Sequence, residues 1–172
     1  WTKERDGNEV PAFYDEVRKP PNVLYSSETN SEENNSGYLY SFDDDGFTVG
    51  SADLSNNDGG EYVAWCWKAG GPAFPNNDGS ITTQVSANRT AGFSIVTGTQ
   101  TNGTTTFGHG LSQAPELIIT KQTNGTTGWY TWHKGIPITE TLRLDTASDA
   151  ASFSHWVTLP TNSVFSMGSG FG

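Results

Sequence analysis

The sequence predicts an all-β protein, an antiparallel β-sandwich in two tandem related units, and three observations carry that prediction. Gly, Asn, Ser and Thr are abundant across the 172 residues, and no long amphipathic run of Ala, Leu, Glu and Lys appears; such a composition favours strands and turns over helices. Short alternating or apolar runs are separated by turn signals roughly every ten residues, the spacing of a sandwich. Residues 118 apart in number also match: Thr2 with Thr120, Lys3 with Lys121, Leu24 with Leu142, Tyr38 with Trp156, Phe47 with Phe165, Val49 with Met167, Gly50 with Gly168 and Ser51 with Ser169.

The elements follow in order. Phe13-Tyr14 and Asn22-Val23-Leu24-Tyr25 are short strand candidates on either side of the Lys19-Pro20-Pro21 break. A polar, acidic segment from Ser26 to Ser36 then gives way to the strand Tyr38–Phe42, the tight turn Asp43-Asp44-Asp45-Gly46, and a returning strand Phe47–Ser51. Asn56-Asn57-Asp58-Gly59-Gly60 is the strongest turn signal. In Glu61–Lys68, alternation puts Val63, Trp65 and Trp67 on one face and Tyr62, Ala64 and Cys66 on the other. Neither face is polar, so this segment is expected to be a central strand covered on both sides, with a neighbouring subunit as one cover. Trp65 and Trp67 are therefore candidates for an oligomer interface, and Cys66 for a buried structural thiol.

Residues 69 to 92 have the Gly, Pro and Asn content of a linker. The domain reading is thus 1–68 as the back part of a first unit, 69–92 as linker, and 93–172 as a second unit lacking its last strand. Within the second unit Phe93–Thr97 alternates cleanly. Phe107-Gly108-His109-Gly110-Leu111 is a loop that turns at Ala114-Pro115 into the buried strand Leu117-Ile118-Ile119. Trp129–His133, Thr141–Leu144 and Val164–Met167 complete the set. The chain opens at Trp1 and stops just after a strand signal at Phe171-Gly172, so both ends read as cut from a longer polypeptide.

Whole-chain properties narrow the function. Nineteen acidic against nine basic residues leave a net charge of -10, which repels phosphate backbones and argues against nucleic acid as partner. No apolar stretch is long enough to span a bilayer, so no membrane insertion is expected. One cysteine excludes an intrachain disulfide.

No catalytic residue is nominated. His109, between two glycines and without a nucleophile motif, reads as a loop-shaping histidine bonded to backbone. Asp43 and Asp45 can offer oxygens to calcium, or can simply make an acidic turn; no glutamate follows at the spacing of a calcium-binding helix–loop–helix. Glu28 and Glu32 are a pair of carboxylates in a polar loop, with little apolar context to raise a pKa for glycoside hydrolysis. Trp129, Tyr130 and Trp132 can stack on sugar faces, although alternation commits at least one face of that strand to a core.

Four stretches carry a resemblance: Tyr62-Val63-Ala64-Trp65-Cys66-Trp67-Lys68-Ala69-Gly70-Gly71, Asp78-Gly79-Ser80-Ile81, Ala91–Val96, and Gly108-His109-Gly110-Leu111 with Ala114-Pro115. In this order they resemble a repeated domain of large structural proteins in tailed phages, notably phages of marine bacteria and cyanobacteria. Residues 62 to 121 are the most specific part, and the first 60 match more loosely. The resemblance implies a lectin-like, concanavalin- or jelly-roll-type sandwich on the external surface of a virion, in a tail fibre, head fibre or other appendage. It implies other copies of the chain and other virion proteins as partners, and it brings no catalytic residue. A carbohydrate-binding receptor module that takes host-surface glycan is the alternative, and an appendage-borne glycan hydrolase comes third.

Overall fold

The computed structural model describes residues 1–169; the last three positions of the stretch read from the sequence as a second unit, including Phe171-Gly172, lie outside the described residues. The chain is nearly all β, in several antiparallel sheets of a sandwich-like fold. Its first half is a meander of β1 (Thr2–Glu4), β2 (Ala12–Phe13), β3 (Asn22–Tyr25) and β4 (Glu33–Asn34). A hairpin of β5 (Leu39–Phe42) and β6 (Phe47–Val49) follows. After one turn of helix, α1 (Asp53–Asn56), the chain returns as β7 (Tyr62–Ala64) to pair with β1, giving the sheet order β4-β3-β2-β1-β7.

The middle of the chain forms a sheet of its own. β8 (Phe74–Asn76), β9 (Thr83–Asn88) and β10 (Phe93–Thr97) pair antiparallel with β9 in the centre. Residues 69–92 are therefore not a linker: they supply two of these three strands. Their Gly and Pro content misleads because both residues also serve edges and close approaches. Pro75 sits in β8, an edge strand where its missing N–H costs no ladder bond. Gly70 lies so close to Ala87 O that a Cβ would overlap it.

In the second half, β11 (Thr105–Gly108) pairs with β16 (Val164–Met167). A second meander runs through β12 (Leu117–Thr120), β13 (Tyr130–His133), β14 (Glu140–Arg143) and β15 (Ala151–Ser152). Two cores result. Ala12, Tyr14, Val23, Tyr25, Leu39 and Leu54 make the first, and Phe107, Ile118, Tyr130, Trp132, Trp156, Phe165 and Met167 the second. Both depend on aromatic rings to fill thin layers, as a chain with 33% hydrophobic residues requires.

The two meanders have the same register at a spacing of 118 residues. Thr2 faces Ala12 as Thr120 faces Tyr130. Ala12 faces Tyr25 and Phe13 faces Leu24, as Tyr130 faces Arg143 and Thr131 faces Leu142. Asn22 faces Asn34 and Val23 faces Glu33, as Glu140 faces Ser152 and Thr141 faces Ala151. Hydrogen bonds outside the ladders repeat too. Ser26 N–H donates to Pro11 O at 3.0 Å and Leu144 N–H to Trp129 O at 3.2 Å; Asn35 N–H donates to Pro21 O at 3.1 Å and Phe153 N–H to Thr139 O at 3.0 Å. The Lys3 ammonium donates to Glu4 O and Gly7 O, and the Lys121 ammonium to Gln122 O and Gly125 O. A shared register is a stronger likeness than shared residues, because a one-residue slip would turn every side chain to the other face.

Candidate functional site

Phe107 and Gly108, expected in a loop, are the end of β11, and the loop that follows, residues 109–115, is held by its histidine. His109 is buried; its Nδ1 accepts from Leu111 N–H at 3.2 Å, which leaves the proton on Nε2 to donate to Thr161 O at 3.1 Å. Burial lowers its pKa, against a smaller opposing pull from the Thr161 carbonyl, so the ring is neutral and spans two loops. Gly110 beside it has φ +71°, the left-handed region that glycine enters freely.

The three rings nominated for sugar binding are inside the protein. Tyr130 and Trp132 belong to the second core, and Trp129, on the other face as alternation requires, is covered by the first half of the chain. Its indole N–H donates to Tyr25 O at 2.8 Å and to Glu28 O at 3.1 Å, and its ring lies 5.4 Å from Phe13. No ring face of this trio is open to a sugar, so the carbohydrate assignment of Trp129, Tyr130 and Trp132 is corrected. The sequence could not show that the second cover comes from residues about a hundred positions earlier.

Trp129 is the centre of a joint between the halves. Asp145 accepts from Trp129 N–H at 3.1 Å and is paired with Arg143 at 2.7 Å. Burial alone would raise the Asp145 carboxyl; the bonds from Arg143 and from backbone N–H outweigh it and hold the pKa below its ordinary value. On the facing side Arg18 pairs with Asp15 at 2.5 Å and Glu32 at 2.8 Å, and Glu32 N–H donates to Thr123 O at 2.7 Å. Glu32, read as one of a carboxylate pair, is thus a strut of this joint. Glu28 lends it a carbonyl, while its own carboxylate accepts from Asn30.

The acidic turn is closed by its own neighbours. One oxygen of Asp43 accepts from Ser41 and the other from Thr48, each at 2.8 Å. Among the described residues no three His, Cys, Asp or Glu side chains gather as a metal ion would need, so Asp43 and Asp45 are not assembled into a calcium site.

Trp65 and Trp67 are the nominated rings that the structure leaves open, 46% and 52% exposed. The expected central strand is instead β7, at the edge of its sheet, and it stops at Ala64. Trp65 packs on Trp1 with centroids 5.5 Å apart, Trp1 packs on Phe13 at 5.0 Å, and Trp67 stacks on Phe93 at 6.3 Å. Cys66 between them is exposed, not buried: a run apolar on both faces need not be covered on both when it lies at an edge. A groove of about 300 Å³ runs over the middle sheet, lined by Pro72, Phe74, Val85, Arg89 and Gly110 among others, with polar and apolar groups mixed. The exposed rings of Trp65 and Trp67 can bind by stacking. Leu117 and Ile119, expected in a buried strand, are also exposed; a three-residue apolar run gives no sign of which side lacks a neighbour.

A family model described as a domain of unknown function (DUF7483) matches residues 1–171. No curated protein and no solved structure matches the chain.

Proposed function

The chain belongs to the DUF7483 family, and on that footing we propose that it is a non-enzymatic structural module of a phage virion, a tandem-sandwich segment of a fibre or capsid-attached appendage that contributes to host-surface contact. The observation that carries this reading is the doubled meander, one register used twice at a spacing of 118 residues. Stacked, similar units joined by buried contacts suit a load-bearing, repetitive protein. Here the joint is the Trp129 indole set among Phe13, Tyr25 and Glu28. The virion setting itself comes from the stretches Tyr62–Gly71, Asp78–Ile81, Ala91–Val96 and Gly108–Leu111. The partners proposed are other copies of the chain and other virion proteins, with the Trp65 and Trp67 strip as the contact face.

The test is immunogold labelling of intact particles with an antibody against residues 1–169. Gold on an external appendage supports the reading; an antigen present in infected cells and missing from purified particles overturns it. A glycan-array screen of the same protein addresses the lectin alternative. Saturable binding there would have to use exposed rings such as Trp67, since Trp129, Tyr130 and Trp132 are enclosed.

A further inference from the structure

In the first half, the outer edge of β1 is occupied: β7 lies antiparallel on it, with Thr2 facing Ala64, Lys3 facing Val63 and Glu4 facing Tyr62. One step further, Trp1 and Trp65 exchange both backbone bonds, Trp65 N–H to Trp1 O at 2.8 Å and Trp1 N–H to Trp65 O at 3.1 Å. In the second half, the equivalent strand β12 has β13 on one side, and among the described residues no strand lies on the other.

What that edge presents is unusual for one meant to stay bare. Exposed edges are normally blunted by charge, proline or a bulge. On β12, Leu117 is 54% and Ile119 is 38% exposed, and both are apolar. The nearest lysine is no guard, because the Lys121 ammonium is turned back onto the carbonyls of Gln122 and Gly125. Carrying the β1–β7 register across the 118-residue spacing puts Ile119 where Trp1 stands, opposite a Trp65-type residue. Leu117 then falls opposite a Trp67-type residue, and Thr120 opposite an Ala64-type one. The two exposed apolar side chains of β12 are thus the two positions at which such a strand carries its tryptophans.

We infer that the outer edge of β12 is a strand-accepting site, and that its occupant is an extended antiparallel segment with the Tyr-Val-Ala-Trp-x-Trp pattern of residues 62–67. Recognition is by β-augmentation: Ile119 and Lys121 supply the outward N–H and C=O groups, and the two tryptophans cover Ile119 and Leu117. The site ends at Thr123, whose carbonyl is already taken by Glu32 N–H. This rests on the shared register that supports the proposed function and not on the virion setting. Absence of the protein from particles would sink that setting alone.

The experiment titrates a peptide of residues 60–68, with Cys66→Ser, into isotopically labelled protein. Saturable amide shifts centred on Ile119 and Lys121, with slowed hydrogen exchange at those two amides, are the expected result. Ile119→Pro removes an outward N–H together with the apolar side chain and should weaken binding by about tenfold or more; Ile119→Lys, which keeps the N–H and removes only the apolar contact, should also weaken it. Shifts at Lys3 and Arg5 instead would mean that the peptide displaces β7, and would overturn the assignment. So would equal binding of a scrambled peptide, no saturable shift, or Ile119 and Lys121 amides already protected before peptide is added.

Discussion

His155 shows how a single side chain sets a pH limit. It is fully buried, its Nε2 lies 3.0 Å from Thr120 Oγ1, and it packs on Tyr130 and Trp156 with centroids 4.6 Å away in each case. Burial lowers its pKa from 6.5 to about 4. The unfolded imidazole binds a proton below pH 6.5 that the folded one refuses until about pH 4. Stability is therefore full above 6.5 and falls as pH drops through that window, by about 3 kcal/mol at its end. His109 acts in the same direction, and Asp145 adds a loss below the ordinary carboxylate range. Urea titrations at pH 7.5 and 4.5 should show the drop, and His155→Gln, which cannot titrate, should reduce it to the part that His109 contributes. At Cys66, where the sequence suggested a buried thiol, the exposed side chain predicts full reaction with a thiol reagent in native buffer; labelling only after denaturation would contradict it.

At the scale of the element, most strands were legible, since Asn22–Tyr25, Leu39–Phe42, Phe93–Thr97 and Tyr130–His133 announce themselves by alternation or aromatic content. The split of Trp129 from Tyr130 and Trp132 onto opposite faces was legible as well. What lies over each face was not, because periodicity reports which side chains share a face and says nothing of what covers it. Phe47 and Phe165 make the point: they sit 118 apart, yet Phe165 is buried against Phe107 of β11 while Phe47 is 36% exposed. No described strand lies on β6 where β11 lies on β16. The glycines that follow these strands, Gly50 and Gly168, were matched from the sequence, and each proves to be a close approach. A Cβ on Gly50 would overlap Gly37 O, and one on Gly168 would stand 2.7 Å from Ser154 O. Gly50→Ala should therefore destabilise by about 1–3 kcal/mol, read as a lowered thermal midpoint.

For the whole molecule, the question is whether two cores behave as one. Trp129 is 4% exposed and belongs by sequence to the second half, but its indole is spent on the first. Trp129→Ala should cost about 3–5 kcal/mol by the usual scale for buried aromatics. It should also split a single calorimetric transition into two, as the halves lose their common joint. One unchanged sharp transition would show that the cores couple by another route. This joint was invisible in the sequence, because its partners Phe13, Tyr25 and Glu28 carry no motif.

A chain that uses one strand register twice has a hazard in refolding, since a strand from one meander can seek the other's slot, and such exchange is a common failure of repeat proteins. Where the two ladders coincide, the backbone register gives no defence. The side chains do. Ala12 is 0% exposed, and the residue in its position in the other meander is Tyr130. A tyrosine ring pressed into space shaped for a methyl group would spread the strands apart. The reverse exchange would leave a void against Phe153, which stacks on Tyr130 at 5.1 Å. The difference in size between Ala12 and Tyr130 sets the two meanders apart where their register does not.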